Sequence, residues 1–176
     1  MKRHLVLAAL LTLTPLAHAG SGNVAPRAVT PFGAPKALPA NALVRPSQTW
    51  ILTGTTAGGE RISRDLKLSA QAPEWDDGWD FDADNGPFSW NPEDRLMIAA
   101  DVLTGMDEDS DIHLCLGMVE GGGARGVLFS GSLEEIQERV SQLEGATGDP
   151  RTADELVQAV RKAGVNAGTC TLTLKR

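Results

Sequence analysis

Asp111–Gly145 reads DIHLCLGMVEGGGARGVLFSGSLEEIQERVSQLEG, and its pattern sets the expected fold class. Ile112–Val119 is a near-continuous apolar run, the mark of a buried strand. Gly121-Gly122-Gly123 supplies a turn and Gly126–Ser130 a second strand, so the pair predicts a hairpin. Ser132-Leu133-Glu134-Glu135 then opens a helix with a capping box. Leu133, Ile136, Val140 and Leu143 form its apolar face, and Gly145 ends it. The stretch also holds His113, the only histidine beyond residue 18, and Cys115, one of two cysteines in the chain.

Outward from this unit the punctuation continues. Thr152-Ala153-Asp154-Glu155 starts a second helix with Leu156, Val157, Val160 and Ala163 on its inner face and Gly164 as its stop. Thr169–Lys175 alternates strictly and predicts the last strand. On the other side, Thr49–Thr55 and Arg61–Ser69 predict a hairpin around Ala57-Gly58-Gly59. Arg95–Leu103 is a more continuous apolar strand, expected to be central. Strands followed by helices, with no βαβ rhythm, predict an α+β domain: a mostly antiparallel sheet of about six strands, with two consecutive helices before the last. A single domain is expected over residues 48–176.

Residues 1–19 have the form of a signal peptide. Lys2 and Arg3 precede the apolar run Leu5–Leu13, and Ala17-His18-Ala19 offers a cleavage site. The run is far shorter than the ~20 residues of a membrane span. No cysteine stands directly after the cleavage site and no twin-arginine pair is present. An exported protein, periplasmic or extracellular, is expected. Residues 20–47 hold five of the ten prolines and no acidic residue, which predicts an extended linker.

The leader takes two of the 16 basic residues and none of the 23 acidic ones, so the remaining chain carries −9. Such a surface repels phosphate backbones and anionic membrane faces, which excludes nucleic acid as a partner class. In an oxidising compartment Cys115 and Cys170 are expected to join in a structural disulfide. Strand parity complicates the pairing. If the two strands were neighbours, the apolar Ile112, Leu114, Leu116 and Met118 would lie beside Thr169, Thr171 and Thr173, which leaves open a bridge between non-adjacent elements.

Glu74–Asp111 is the unusual surface. It contains thirteen acidic residues, one basic residue (Arg95) and five of the eight aromatics, and its tryptophan-bearing part ahead of Arg95 is expected to be a long loop. Concentrated charge repels itself and calls for compensation. Calcium is one candidate: Asp80, Asp82 and Asp84 alternate like the opening of an oxygen-rich cation loop, and Glu93 stands at position twelve counted from Asp82. The glycine and glutamate positions of an EF-hand are not both met in either register. Glycan or peptide binding is the other candidate, with Trp75, Trp79 and Trp90 stacking on the ligand and Asp76 and Asp77 as hydrogen-bonding partners.

Catalytic signatures are sparse. A Ser-His-Asp triad would have to use His113, which sits mid-strand as a packed or edge residue would, and no Gly-x-Ser-x-Gly elbow exists. Gly121–Gly126 contains Gly-x-Gly-x-x-Gly, but Val127-Leu128-Phe129 continues as a strand where a dinucleotide site needs a helix N-terminus. The expectation is an exported binding or interaction module using the acidic, tryptophan-bearing loop, with calcium, a glycan or a protein as ligand. The alternatives are a glycosidase-like hydrolase using loop carboxylates and a purely structural envelope protein.

Overall fold

The computed structural model of the chain describes residues 37–71, 78–103, 111–143 and 148–176. The strands are β1 (Thr49–Thr55), β2 (Arg61–Gln71), β3 (Trp79–Ala83), β4 (Gly86–Asn91), β5 (Leu96–Val102), β6 (Ile112–Glu120), β7 (Gly123–Gly131) and β8 (Gly168–Leu174). Two helices, α1 (Leu133–Leu143) and α2 (Ala153–Lys162), lie between β7 and β8. Each strand is antiparallel to the one before it, and β8 pairs back onto β1, Trp50 opposite Leu174 and Thr55 opposite Thr169. The result is a closed eight-stranded barrel.

This corrects the expected α+β sheet of about six strands. The two further strands, β3 and β4, come from the segment expected as a loop. In WDFDADNGPFSWN, Trp79, Phe81, Phe88 and Trp90 are buried while Asp82 and Pro87 are exposed, a period of two on both sides of an Asp84-Asn85 turn. The repeated aspartates and the proline hide the alternation, because both residue types are depleted in strands. Closure removes the two edges an open sheet would expose, and an eight-stranded barrel is just wide enough for side chains to fill its interior. Here Trp50, Leu52, Leu66, Leu68, Phe81, Phe88, Met97 and Leu172 fill it.

A second apolar layer lies outside. Ile136, Val140 and Leu143 of α1 and Ala153, Leu156 and Val160 of α2 pack with the outward residues of β6 and β7, among them Leu114, Leu116 and Phe129. This explains the unbroken apolar run of β6: the strand is covered on both faces. Ser132 and Glu135 form the expected capping box, Ser132 N donating to Glu135 Oε2 at 3.2 Å and Glu135 N to Ser132 Oγ at 3.3 Å. On the uncovered side, Thr53, Ser63, Asp65, Lys67, Thr169 and Thr173 are exposed on β1, β2 and β8. Apolar within and polar without is the reverse of a membrane-spanning barrel. Among the described residues, no helix is long and apolar enough to cross a membrane.

Cys115 and Cys170 form the disulfide, with Cα atoms 5.9 Å apart. Their strands are not neighbours. β7 lies between them, with Leu128 opposite Cys115 and Gly126 opposite Cys170. The bridge thus spans a strand inside the barrel, and the threonines of β8 do not lie beside the Ile112–Met118 stripe of β6. Ahead of β1, Val44 is wholly buried and Ala42 nearly so, with Leu38 and Leu43 packed alongside. Ser47 N donates to Leu68 O at 2.9 Å, so these residues close the barrel at the Trp50 and Leu68 end. The last part of the expected linker therefore belongs to the core.

Candidate functional site

The opposite end of the barrel has a different chemistry. Strand parity continues the inward row of β5 from Met97 and Ala99 to Asp101, opposite His113 on β6, which in turn lies opposite Ser130 on β7. Three adjacent strands thus present carboxylate, imidazole and hydroxyl at one level of the interior. Arg64 completes the group from β2. Its Nε donates to Asp101 Oδ2 at 3.1 Å, and the carboxylate side chain is only 2% exposed. β3 pairs with β2 only at Leu68, Ala70 and Gln71. Beyond the β3–β4 turn, no strand among the described residues pairs with β2 on that side, and Arg64 bridges directly to β5.

Two atoms at this level are buried without a hydrogen-bond partner, His113 Nδ1 and Ser130 Oγ. His113 Nδ1 lies 3.8 Å from Asp101 Oδ2, within electrostatic reach but too far for a hydrogen bond, and the imidazole is 8% exposed. Each such orphan costs ~1–3 kcal/mol, and orphans of this kind concentrate where a fold keeps a group for use. Arg139 of α1 stands beside them, Nη1 donating to Ser130 O at 3.0 Å. Above this floor opens a cavity of about 500 Å³. Arg64, His113, Ser130 and Arg139 line it, with Thr56, Glu60, Asp111 and Asn166 toward solvent. The volume lies in the ~300–1,000 Å³ range of small-molecule sites.

The residues expected to bind ligand are elsewhere. Trp79 and Trp90 stack on each other with ring centroids 5.4 Å apart. They are 8% and 5% exposed, inside the barrel and not on a ligand face. Trp75, Asp76 and Asp77 lie outside the described residues. Of the proposed calcium ligands, Asp80 accepts a hydrogen bond from Ser89 Oγ at 2.5 Å, and Asp82 and Asp84 are exposed. Glu93 N donates to Asn91 Oδ1 at 2.9 Å in the turn after β4. Asp84 and Glu93 lie beyond opposite ends of β4, six residues long and so on the order of 20 Å. The four are not brought together. Among the described residues, no three His, Cys, Asp or Glu side chains are grouped to hold a metal ion.

The glycine turn is structural. Gly121 and Gly122 have φ of 59° and 91°, the left-handed geometry of a two-residue hairpin between β6 and β7. A second cavity of about 500 Å³ adjoins it, lined by Glu120–Arg125, Thr171–Leu174 and Arg176. The Arg125 guanidinium is engaged there by Glu120 at 3.5 Å and Asp154 at 3.1 Å.

Sequence reasoning weighed His113 but missed Arg64, Asp101 and Ser130. One signal was present: Asp101 is the only charged residue in LMIAADV, a strand buried along most of its length.

No protein-family model matches the chain, and no curated protein or solved structure shows significant similarity to it.

Proposed function

We propose that the protein is an exported binding module that takes a small polar solute into the His113 end of its barrel. The single observation carrying this reading is the pair of orphaned buried atoms, His113 Nδ1 and Ser130 Oγ, beneath an open cavity in an otherwise apolar interior. A fold under selection for stability alone would fill that level with aliphatic side chains. The leader and the Cys115–Cys170 bridge support an oxidising, extracytoplasmic setting. Binding is favoured over nucleophilic catalysis because Ser130 Oγ makes no hydrogen bond to His113, so no activated hydroxyl is assembled.

The test is amide NMR of the protein titrated with a library of small polar solutes, calcium and oligosaccharides included. Saturable shifts at His113, Ser130 and Arg139 are expected from at least one solute, and Arg139→Gln should weaken them. Shifts confined to the acidic segment around Asp76–Asp84 would return the site to the tryptophan-bearing stretch and sink this reading.

A further inference from the structure

We infer that the solute is a small zwitterion, of the free amino acid class, entering with its carboxylate inward and its ammonium outward. This rests on the barrel-end reading and adds the ligand's charge pattern to it. Of the two arginines lining the cavity, Arg139 is the less exposed, 29% against 43% for Arg64. At the floor, Asp101 is already matched by Arg64 through Nε, which leaves the guanidinium of Arg139 as the inner cation. Its ion pair with Glu135 is loose at 3.9 Å. That glutamate is also occupied as the capping-box acceptor of Ser132 N. A guanidinium carries five N–H donors in a fork that suits a carboxylate, and Arg139 uses one of them on Ser130 O.

The outer lining adds two carboxylates, while the more exposed Arg64 is turned through its Nε to Asp101. Glu60 and Asp111 both line the cavity and both are exposed, with no ion pair of their own among the described residues. A purely anionic solute would have to pass these carboxylates, and a purely cationic one would leave Arg139 unmatched behind it. A solute with both charges meets each sign with its complement, and the mismatch rejects solutes with only one charge.

The experiment uses glycine, serine, glutamine and leucine, each beside its N-acetyl derivative (anion only) and its amide (cation only). Binding is read by calorimetry and by the amide signals of His113, Ser130 and Arg139. At least one free amino acid is expected to bind there, with both blocked forms at least tenfold weaker. Arg139→Gln should weaken the free and N-acetyl forms and spare the amide. Glu60→Gln combined with Asp111→Asn should weaken the free and amide forms and spare the N-acetyl one. Equal binding of a blocked form overturns the zwitterion inference. So does a site that answers only to neutral or singly charged solutes of the wider library, which leaves the binding reading standing. If no solute moves these three amides, the binding reading fails and takes the inference with it.

Discussion

Arg64 and Asp101 are joined Nε to Oδ2 at 3.1 Å although their strands, β2 and β5, are not paired. The contact clasps the barrel wall where the β3–β4 hairpin stops short. Its two partners are unequal: Asp101 is 2% exposed and Arg64 43%. Removing the arginine strands a buried carboxylate, whereas neutralising the aspartate leaves an arginine that water can solvate. Arg64→Met is therefore expected to cost about 2 kcal/mol, below the ~3–5 kcal/mol of a fully buried pair, and Asp101→Asn clearly less. Urea unfolding of the two variants and their combination checks the asymmetry. Equal costs would count against it.

Ser130→Ala is expected to stabilise the protein. The hydroxyl oxygen is buried and bonded to nothing, so deleting it removes a desolvated group at no loss of contact, a gain of about 1 kcal/mol. The same variant should weaken solute binding at the His113 end. A stabilised protein with undiminished binding would show that Ser130 serves neither fold nor ligand.

Gly126→Ala is expected to be severe. A Cβ there would lie 2.0 Å from Leu116 O and 2.8 Å from Gly117 Cα, both backbone atoms of β6. Neither can give way without parting the strands, so a loss of about 3 kcal/mol or more follows. Gly148→Ala, with nothing within 4 Å of the added carbon, is the matched control and should be neutral.

Replacing Cys115 and Cys170 together by alanine removes a cross-link between positions 55 residues apart. The chain-entropy cost is nominally about 4 kcal/mol, which at this size lowers Tm by roughly 10–20 °C. Calorimetry in the presence and absence of reductant reads the same difference in the native chain.

Trp50, Trp79 and Trp90 are all buried, so their fluorescence should be blue-shifted and resist iodide. A Trp75→Phe variant isolates these three. Strong quenching in that variant would mean that the rings are not inside the barrel.

Much of the fold was legible locally. Both hairpins expected from glycine turns formed, and Ser132 with Glu135 capped α1 as the motif implied. Closure was not legible, because the pairing of Gly54 with Cys170 joins the two ends of the domain and no local pattern encodes it. β3 was hidden for a different reason. Trp79 and Phe81 alternate as a strand should, but Asp80 and Asp82, each following one of them, read as a solvated loop. Parity is reliable where one face is apolar, and it was outweighed here by composition. The candidate site shows the same division. The inward alignment of Met97, Ala99 and Asp101 follows from period two, whereas the approach of Arg64 depends on how short the β3–β4 hairpin is, a length that was not recognised.

The seam between β1 and β8 governs how the protein can be made. The first strand gains its second neighbour only when the last has been synthesised, and the most distant pairings are those that close the cylinder. Chains dominated by such distant pairings fold slowly. A nascent chain lacking Gly168–Leu174 has neither its closing strand nor its second half-cystine, so its barrel stays open and Cys115 unbridged until that segment has been made.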